Sequence, residues 1–168
     1  MADLIFRYGV LKTELDKHAL ELKENRKDYN IKIIKCNSVT DTSLETYYDL
    51  FKKDVDLIIV LNAQNLMKFQ VDQLLHIAKE LNVDVVCYGY RTNYKTELTE
   101  GSKRLLEVCD KISEIRSKCN DCEEKAVFLG KYINNEFTMD EKEPAKYKPL
   151  CQKCYSLKLG KYKKWEER

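Results

Sequence analysis

Two pairs of cysteines constrain this chain more than any other feature. Cys119-Asn120-Asp121-Cys122 and Cys151-Gln152-Lys153-Cys154 are both C-x-x-C turns, separated by 28 residues. Two thiolates on one tight turn can reach the same ion, and two such turns complete a tetrahedral S₄ set of the kind zinc prefers. The segment between, Lys125 to Lys148, offers little to bury beyond Val127, Phe128, Leu129, Tyr132, Ile133 and Phe137. Metal ligation would replace the missing core of so small a lobe. A closed Cys₄ set leaves no open coordination position, so the ion would be structural. A redox pair and unrelated thiols are the competing readings. Cys36, Cys87 and Cys109 lie in or beside apolar elements and read as inert core thiols.

Before about Ile115 the pattern is different. Leu4-Ile5-Phe6 reads as a strand, Lys12 to Arg26 as a charged helix, and Ile31 to Ile34 as a second strand. Thr42 and Glu45 resemble a capping box ahead of a helix to about Lys52. Leu57-Ile58-Ile59-Val60-Leu61 is an unbroken apolar run, as in strands covered on both faces. Val71, Leu74, Leu75, Ala78 and Leu81 recur at helical spacing, Val83 to Tyr88 reads as a strand, and Ser102 to Cys109 as a further helix. Strands alternating with helices imply a parallel sheet in a three-layer α/β domain, with ligands beyond the carboxyl ends of the strands. The positions to interrogate follow Tyr8, Leu61 and Tyr88. The expected division is an α/β domain over residues 1–115 and a metal-binding lobe with a basic tail over 116–168.

Composition removes several function classes. The five glycines stand at positions 9, 89, 101, 130 and 160, so neither G-x-x-x-x-G-K-[ST] nor G-x-G-x-x-G is present. No stretch approaches the roughly 18 apolar residues of a membrane span, and Met1-Ala2-Asp3 does not open a signal sequence, which leads to a cytoplasmic expectation. The net charge of +2 hides a tail from Glu141 onward with nine lysines and arginines against four acids, a local 9 − 4 = +5. Such a tail either holds phosphate-bearing partners, nucleic acid included, or is a solvated terminus. His18 and His76 sit in helical patterns and read as solvated residues. Lys103 and Arg104 follow Gly101-Ser102 at an expected helix N-terminus, where an anion could bind.

Taken together these residues resemble the type II thymidine kinases, the zinc-containing class of cells, poxviruses and phages. Leu4 to Gly9 is similar to that family's opening strand, and Gln64 to Leu81 to its helix after a D-E-A-Q-F motif. Cys87 to Asp110 is similar to its C-Y-G-L-R-T-D-F-x-x-E-L-F-E-G-S stretch, and the paired knuckles with Tyr147 four residues before Cys151 complete the likeness. The resemblance implies a P-loop-NTPase-like parallel sheet, a structural zinc on Cys119, Cys122, Cys151 and Cys154, and a homo-oligomer, the family's tetramer. It also implies a nucleoside pocket at Gln64, Tyr90, Arg91, Tyr94 and Tyr147, for whose three tyrosines simple aromatic packing is the alternative.

The departures fall on the chemistry. Gly9 is followed by Val10-Leu11-Lys12-Thr13, two residues between glycine and lysine where the family motif has five. The family's acidic pair, which places Mg²⁺ and accepts the 5′-hydroxyl proton, is matched by Leu61 and Asn62, and its R-T-D-F aspartate by Asn93. Asp140 to Lys146 stands where the family has Gly-Gly before its tyrosine. On these grounds Lys12, Thr13, Leu61 and Asn62 read as degenerate catalytic positions. The expectation is a catalytically inactive thymidine-kinase-like zinc protein, without ATP or Mg²⁺, that binds a nucleotide-like ligand or a protein partner and no membrane. The alternative is an active, diverged deoxynucleoside kinase drawing its carboxylate from Asp16 or Glu14. A second alternative is a zinc-supported nucleic-acid-binding module using the basic tail.

Overall fold

The structure, a computed structural model, describes residues 2–36 and 54–166. The helix expected after Thr42 lies outside them. Five parallel strands form the main sheet: β1 (Leu4–Gly9), β2 (Ile31–Lys35), β3 (Leu57–Leu61), β4 (Asp84–Tyr90) and β5 (Lys111–Glu114), in the order β2-β3-β4-β1-β5. Helix α1 (Lys12–Asn25) links β1 to β2, α2 (Lys68–Leu81) links β3 to β4, and α3 (Glu100–Val108) links β4 to β5. The three-layer α/β expectation is met.

Strand alternation sorts the side chains. Leu4 and Phe6, Ile58 and Val60, and Val85 and Cys87 point to one face, where Val71, Leu74, Ile77 and Ala78 of α2 and Leu105 of α3 cover them. Leu57, Ile59, Val86 and Tyr88 point to the other face, against Leu15 and Ala19 of α1. Each fully buried aliphatic of this kind contributes about 1.5–3 kcal/mol. β3 and β4 are apolar on both faces because helices cover both. β2, at the sheet edge, is covered less: Ile31 and Ile33 are only partly buried on the α1 side.

Several boundaries differ from the sequence reading. β1 runs to Gly9 because Arg7 and Tyr8 keep the register with β4 and β5. α3 begins at Glu100, two residues early, because Thr99 caps it by accepting the Ser102 amide at 3.2 Å. β5 carries one apolar residue, Ile112, half exposed, and gives no strand pattern. The basic tail is helical: Gln152–Glu166 forms helix α4.

Two glycines make close packing possible. A Cβ at Gly89 would lie 2.7 Å from Gln64 Oε1 and 2.9 Å from its amide nitrogen, and one at Gly101 would lie 2.5 Å from the Leu66 carbonyl oxygen. The 3₁₀ turn Ala63–Asn65 after β3 is therefore pressed against both β4 and α3.

The second sheet is antiparallel, β6 (Phe128–Ile133) lying between β7 (Glu136–Phe137) and β8 (Lys146–Leu150). Tyr155 of α4 packs 5.2 Å from Phe128 and 5.5 Å from Phe137, ring centre to ring centre. The sheets are joined where Lys125 pairs with Glu114 at the end of β5, 2.5 Å apart. No described helix is long and apolar enough to cross a membrane.

Candidate functional site

The chain leaves β1 toward β2 at one edge of the sheet and leaves β4 toward β5 at the other. A crevice opens where such connections diverge, at the carboxyl ends of β1, β3 and β4. On the β1 side only Val10 and Leu11 separate Gly9 from α1, and Lys12 is the helix's first residue. This turn is too short to wrap a phosphate chain in backbone amides. Lys12 Nζ instead pairs with Asp16 Oδ2 at 2.8 Å, one helical turn on. Both line a groove of about 510 Å³ with Leu61 and Asn62. Thr13 lies on the exposed part of the first turn.

On the β3 side, Asn62 adopts left-handed backbone (φ 57°, ψ 44°), which turns the chain sharply into the 3₁₀ turn. Gln64 Oε1 accepts the Tyr90 amide at 3.1 Å, and Asn65 Nδ2 donates to the Cys36 carbonyl at 2.7 Å. Gln64 thus ties β3 to β4 through its side chain.

The loop after β4 carries the aromatics. Burial chiefly, and the nearby charge of Asp16 next, hold the Tyr90 phenol above its ordinary pKa. Arg91 stacks its guanidinium 5.7 Å over the Tyr8 ring. Asn93 Oδ1 accepts the amides of Lys95 (2.9 Å) and Glu97 (3.1 Å), so this residue shapes the loop, a role that carboxylate and carboxamide oxygens fill alike. Tyr94 faces Tyr147 at 6.5 Å. Lys131 of β6 is only 1% exposed; its ammonium lies 4.5 Å over the Tyr94 ring and 3.4 Å from Glu143. Glu143 also accepts the Tyr147 hydroxyl; this bond first, with the Lys131 charge, holds its carboxyl below the usual range against the opposing effect of burial. Lys95 pairs with Glu141 at 2.9 Å. The segment before Tyr147 is thereby clasped by charge onto the loop after β4. Sequence reading missed Lys131 and Glu143; a lysine inside the apolar run Phe128–Ile133 was the available signal.

Other expectations resolve simply. His18 is exposed, and His76 pairs with Glu80 at 3.0 Å on the surface of α2. Arg104 turns to Asp72 of α2 (2.7 Å) and so is committed to α2. Cys36 and Cys87 are fully buried, and burial first, then its neighbours Cys36 and Cys109, push the Cys87 thiol well up.

The sulfurs of Cys119, Cys122, Cys151 and Cys154 all lie within 4.8 Å of one another. Cys122 is 3.6 Å from Cys151 and 3.8 Å from Cys154. Metal–sulfur bonds of about 2.3 Å in a tetrahedron place sulfurs about 3.8 Å apart, so the four thiols fit one zinc-sized ion. Burial opposes the Cys119 thiolate, yet the backbone amides of Cys151, Asp121 and Cys122 bring its pKa down to about 7. The thiolate is the form that ligates.

A family model described as thymidine kinase matches residues 8–155, a span that includes the crevice, the aromatic loop and all four cysteines. The chain belongs to the thymidine kinase family. It is 32% identical over 134 residues to a thymidine kinase of Encephalitozoon cuniculi (76% of this chain, 63% of the relative). It is 27% identical over 188 residues to one of Listeria monocytogenes (93% and 97%), and 28% over 161 residues to that of Enterobacteria phage T4 (80% and 83%). The chain thus spans less than two thirds of the Encephalitozoon relative and nearly all of the Listeria one.

These relatives, each named thymidine kinase, and the family model over residues 8–155 overturn the expectation of an inactive binding protein, and with it the expectation that ATP and Mg²⁺ are absent. At the mouth of the sheet, the groove that holds Leu61 and Asn62 also holds a carboxylate, Asp16, and an ammonium, Lys12, so loss of the acidic pair does not leave it without charged groups.

Proposed function

We propose that the protein is a deoxynucleoside kinase, with thymidine as the first acceptor to test, transferring the γ-phosphoryl group of ATP to the nucleoside 5′-hydroxyl. The observation that carries this reading is the Lys12–Asp16 pair at the carboxyl-end mouth of the parallel sheet, facing Asn62 and acting electrostatically on Tyr90. Asp16 would accept the hydroxyl proton, and Lys12 would hold phosphate oxygens. Tyr90, Tyr94 and Tyr147 would wall the nucleoside, with Gln64 and Arg91 supporting the wall. Mg²⁺, when bound with ATP, would neutralise charge developing on the phosphoryl oxygens. Cys119, Cys122, Cys151 and Cys154 would hold a structural zinc, in a lobe over 116–168 beside the α/β unit 1–115. Free thiolate ligands suit a reducing cytoplasm. The family likeness supports a homo-oligomer.

The test is a coupled assay with ATP, Mg²⁺ and a panel of deoxynucleosides on metal-loaded protein. Turnover of thymidine or another deoxynucleoside is expected, falling about 10²–10⁴-fold in Asp16→Asn. Absence of turnover on every nucleoside, or full activity in Asp16→Asn, defeats the reading or its base.

A further inference from the structure

Among the described residues Lys131 is the only charged one that is buried. Lysine is rarely enclosed unless its charge is matched, because burial strips the ammonium of water. For packing alone, an apolar side chain of similar volume would fill the same space with nothing to desolvate. The register of β6 on β8 sets Lys131 directly across from Tyr147, so both side chains leave the sheet on one face. Phe128 and Leu150, also opposite each other, leave it on the other face, with the cysteines. On its own face the Lys131 ammonium meets two separate segments. It lies 4.5 Å over the ring of Tyr94, in the loop after β4, and 3.4 Å from Glu143, between β7 and β8. Glu143 in turn accepts the Tyr147 hydroxyl. One cation therefore touches the first ring directly and reaches the second through a single carboxylate; the rings stand 6.5 Å apart, tilted at 50°. Lys95 and Glu141 join the same two segments, but Glu141 is 81% exposed, so water and salt screen that pair far more than the enclosed one.

We propose that Lys131 is a positioning residue of the acceptor side: it sets the separation and tilt of Tyr94 and Tyr147, the first by its charge against the ring and the second through Glu143. This assignment rests on the kinase reading and deepens it, naming the group that orders the nucleoside wall. An ammonium held over an aromatic face restrains the ring, and more so where water is excluded. Lys131 is walled off from solvent and from the Lys12–Asp16 groove, whose lining does not include it. Its loss should therefore weaken the hold on the nucleoside and leave the chemical step alone.

Steady-state kinetics on the full, metal-loaded chain tests the assignment, with deoxynucleoside and ATP varied separately. Lys131→Met should raise the nucleoside KM about tenfold, as the loss of one charge-assisted contact does, with kcat and the KM for ATP nearly unchanged. Lys131→Arg, which keeps the charge, should recover most of that loss. Glu143→Gln tests the same link at an exposed carboxylate, without disturbing the core, and should raise the same KM. Lys131→Met added to it should then cost less than it does alone. Lys142→Met, at an exposed lysine of the same segment, should alter nothing. A nucleoside KM in Lys131→Met equal to that in Lys142→Met overturns the proposal. So does a fall in every parameter that Lys131→Arg fails to rescue, the mark of a lysine that only holds the fold, and so does full additivity of Lys131→Met with Glu143→Gln. Hydrogen exchange on the same proteins separates the two readings. Faster exchange at residues 93–97 and 140–147 in Lys131→Met, reversed in Lys131→Arg, in a protein that turns over no nucleoside keeps the ordering of the two rings and removes the kinase. Turnover with exchange and nucleoside KM both indifferent to Lys131 keeps the kinase and removes the positioning role.

Discussion

The five-stranded sheet buries Leu4, Phe6, Ile58 and Val85 beneath α2 and α3, and Leu57, Ile59 and Val86 beneath α1. Among the described residues the three-stranded sheet has no second layer of that kind: its core is Leu150, Tyr155 and two of the four cysteines, with Phe128 and Phe137 packed partly against them. One region excludes water with aliphatic layers on both sides of a sheet, the other with aromatic rings and sulfur. An apolar layer tolerates local change because many contacts share the load. A lobe organised around four thiols depends on one coordination event.

The most severe way to break this contrast is to take the metal away. Chelation, or Cys154→Ser, should release residues 118–166 while β1, β3 and β4 persist, since metal binding in such lobes supplies on the order of 10 kcal/mol of folding free energy. Hydrogen exchange reads the two regions separately; simultaneous loss of protection in β4 would show that the sheet depends on the lobe. Gly101→Ala attacks the other side of the comparison. Its Cβ would meet the backbone oxygens of Leu66 and Ala63 at 2.5 and 2.8 Å, and overpacking against backbone costs about 1–3 kcal/mol. A lower urea midpoint with unchanged metal affinity is expected; a shift in metal affinity would contradict the independence of the two cores.

The smallest effect is a pH dependence confined to the sheet. Asp110 accepts from Lys79 at 2.7 Å and from the Leu4 amide at 2.8 Å, which lowers its carboxyl pKa. A lowered folded pKa gives stability that is complete above the ordinary carboxylate value of about 3.9 and lost as pH falls through the folded value. The gap between wild type and Asp110→Asn should therefore be constant from neutral pH to about 5 and close below about 4. With Asp110 and Lys79 each a third exposed, it should not exceed about 1 kcal/mol. A gap that widens in acid would refute the assignment.

Most of the main sheet was legible because β3 and β4 are apolar on both faces and α2 repeats at helical spacing. β5 was not, since Lys111-Ile112-Ser113-Glu114 owes its pairing to β1. The cysteine centre was fully legible, because the spacing of C-x-x-C turns is itself the geometry. The mouth was legible only as a set of substitutions at Lys12, Thr13, Leu61 and Asn62. Asp16 was legible as a possible carboxylate source; what depends on tertiary placement is that it shares a groove with Leu61 and Asn62, and that Lys131 meets Glu143 across a strand and a loop. Asn93 shows the converse error, an exchange that looked chemical and proves to shape a turn.

Tyr155 follows Cys154 directly and donates its hydroxyl to the Tyr94 carbonyl, between the aromatic rings of the lobe and the loop after β4. A metal ligand and a loop anchor are thus adjacent links of one chain. If zinc fills the four thiols as proposed, any free energy by which fixing Tyr94 tightens the ion equals that by which extracting the ion loosens Tyr94, because such coupling is reciprocal. On the proposed reading, a metal with no place in the chemistry would act as an effector of the acceptor side, and occupancy of the acceptor side would act as a brake on metal exchange.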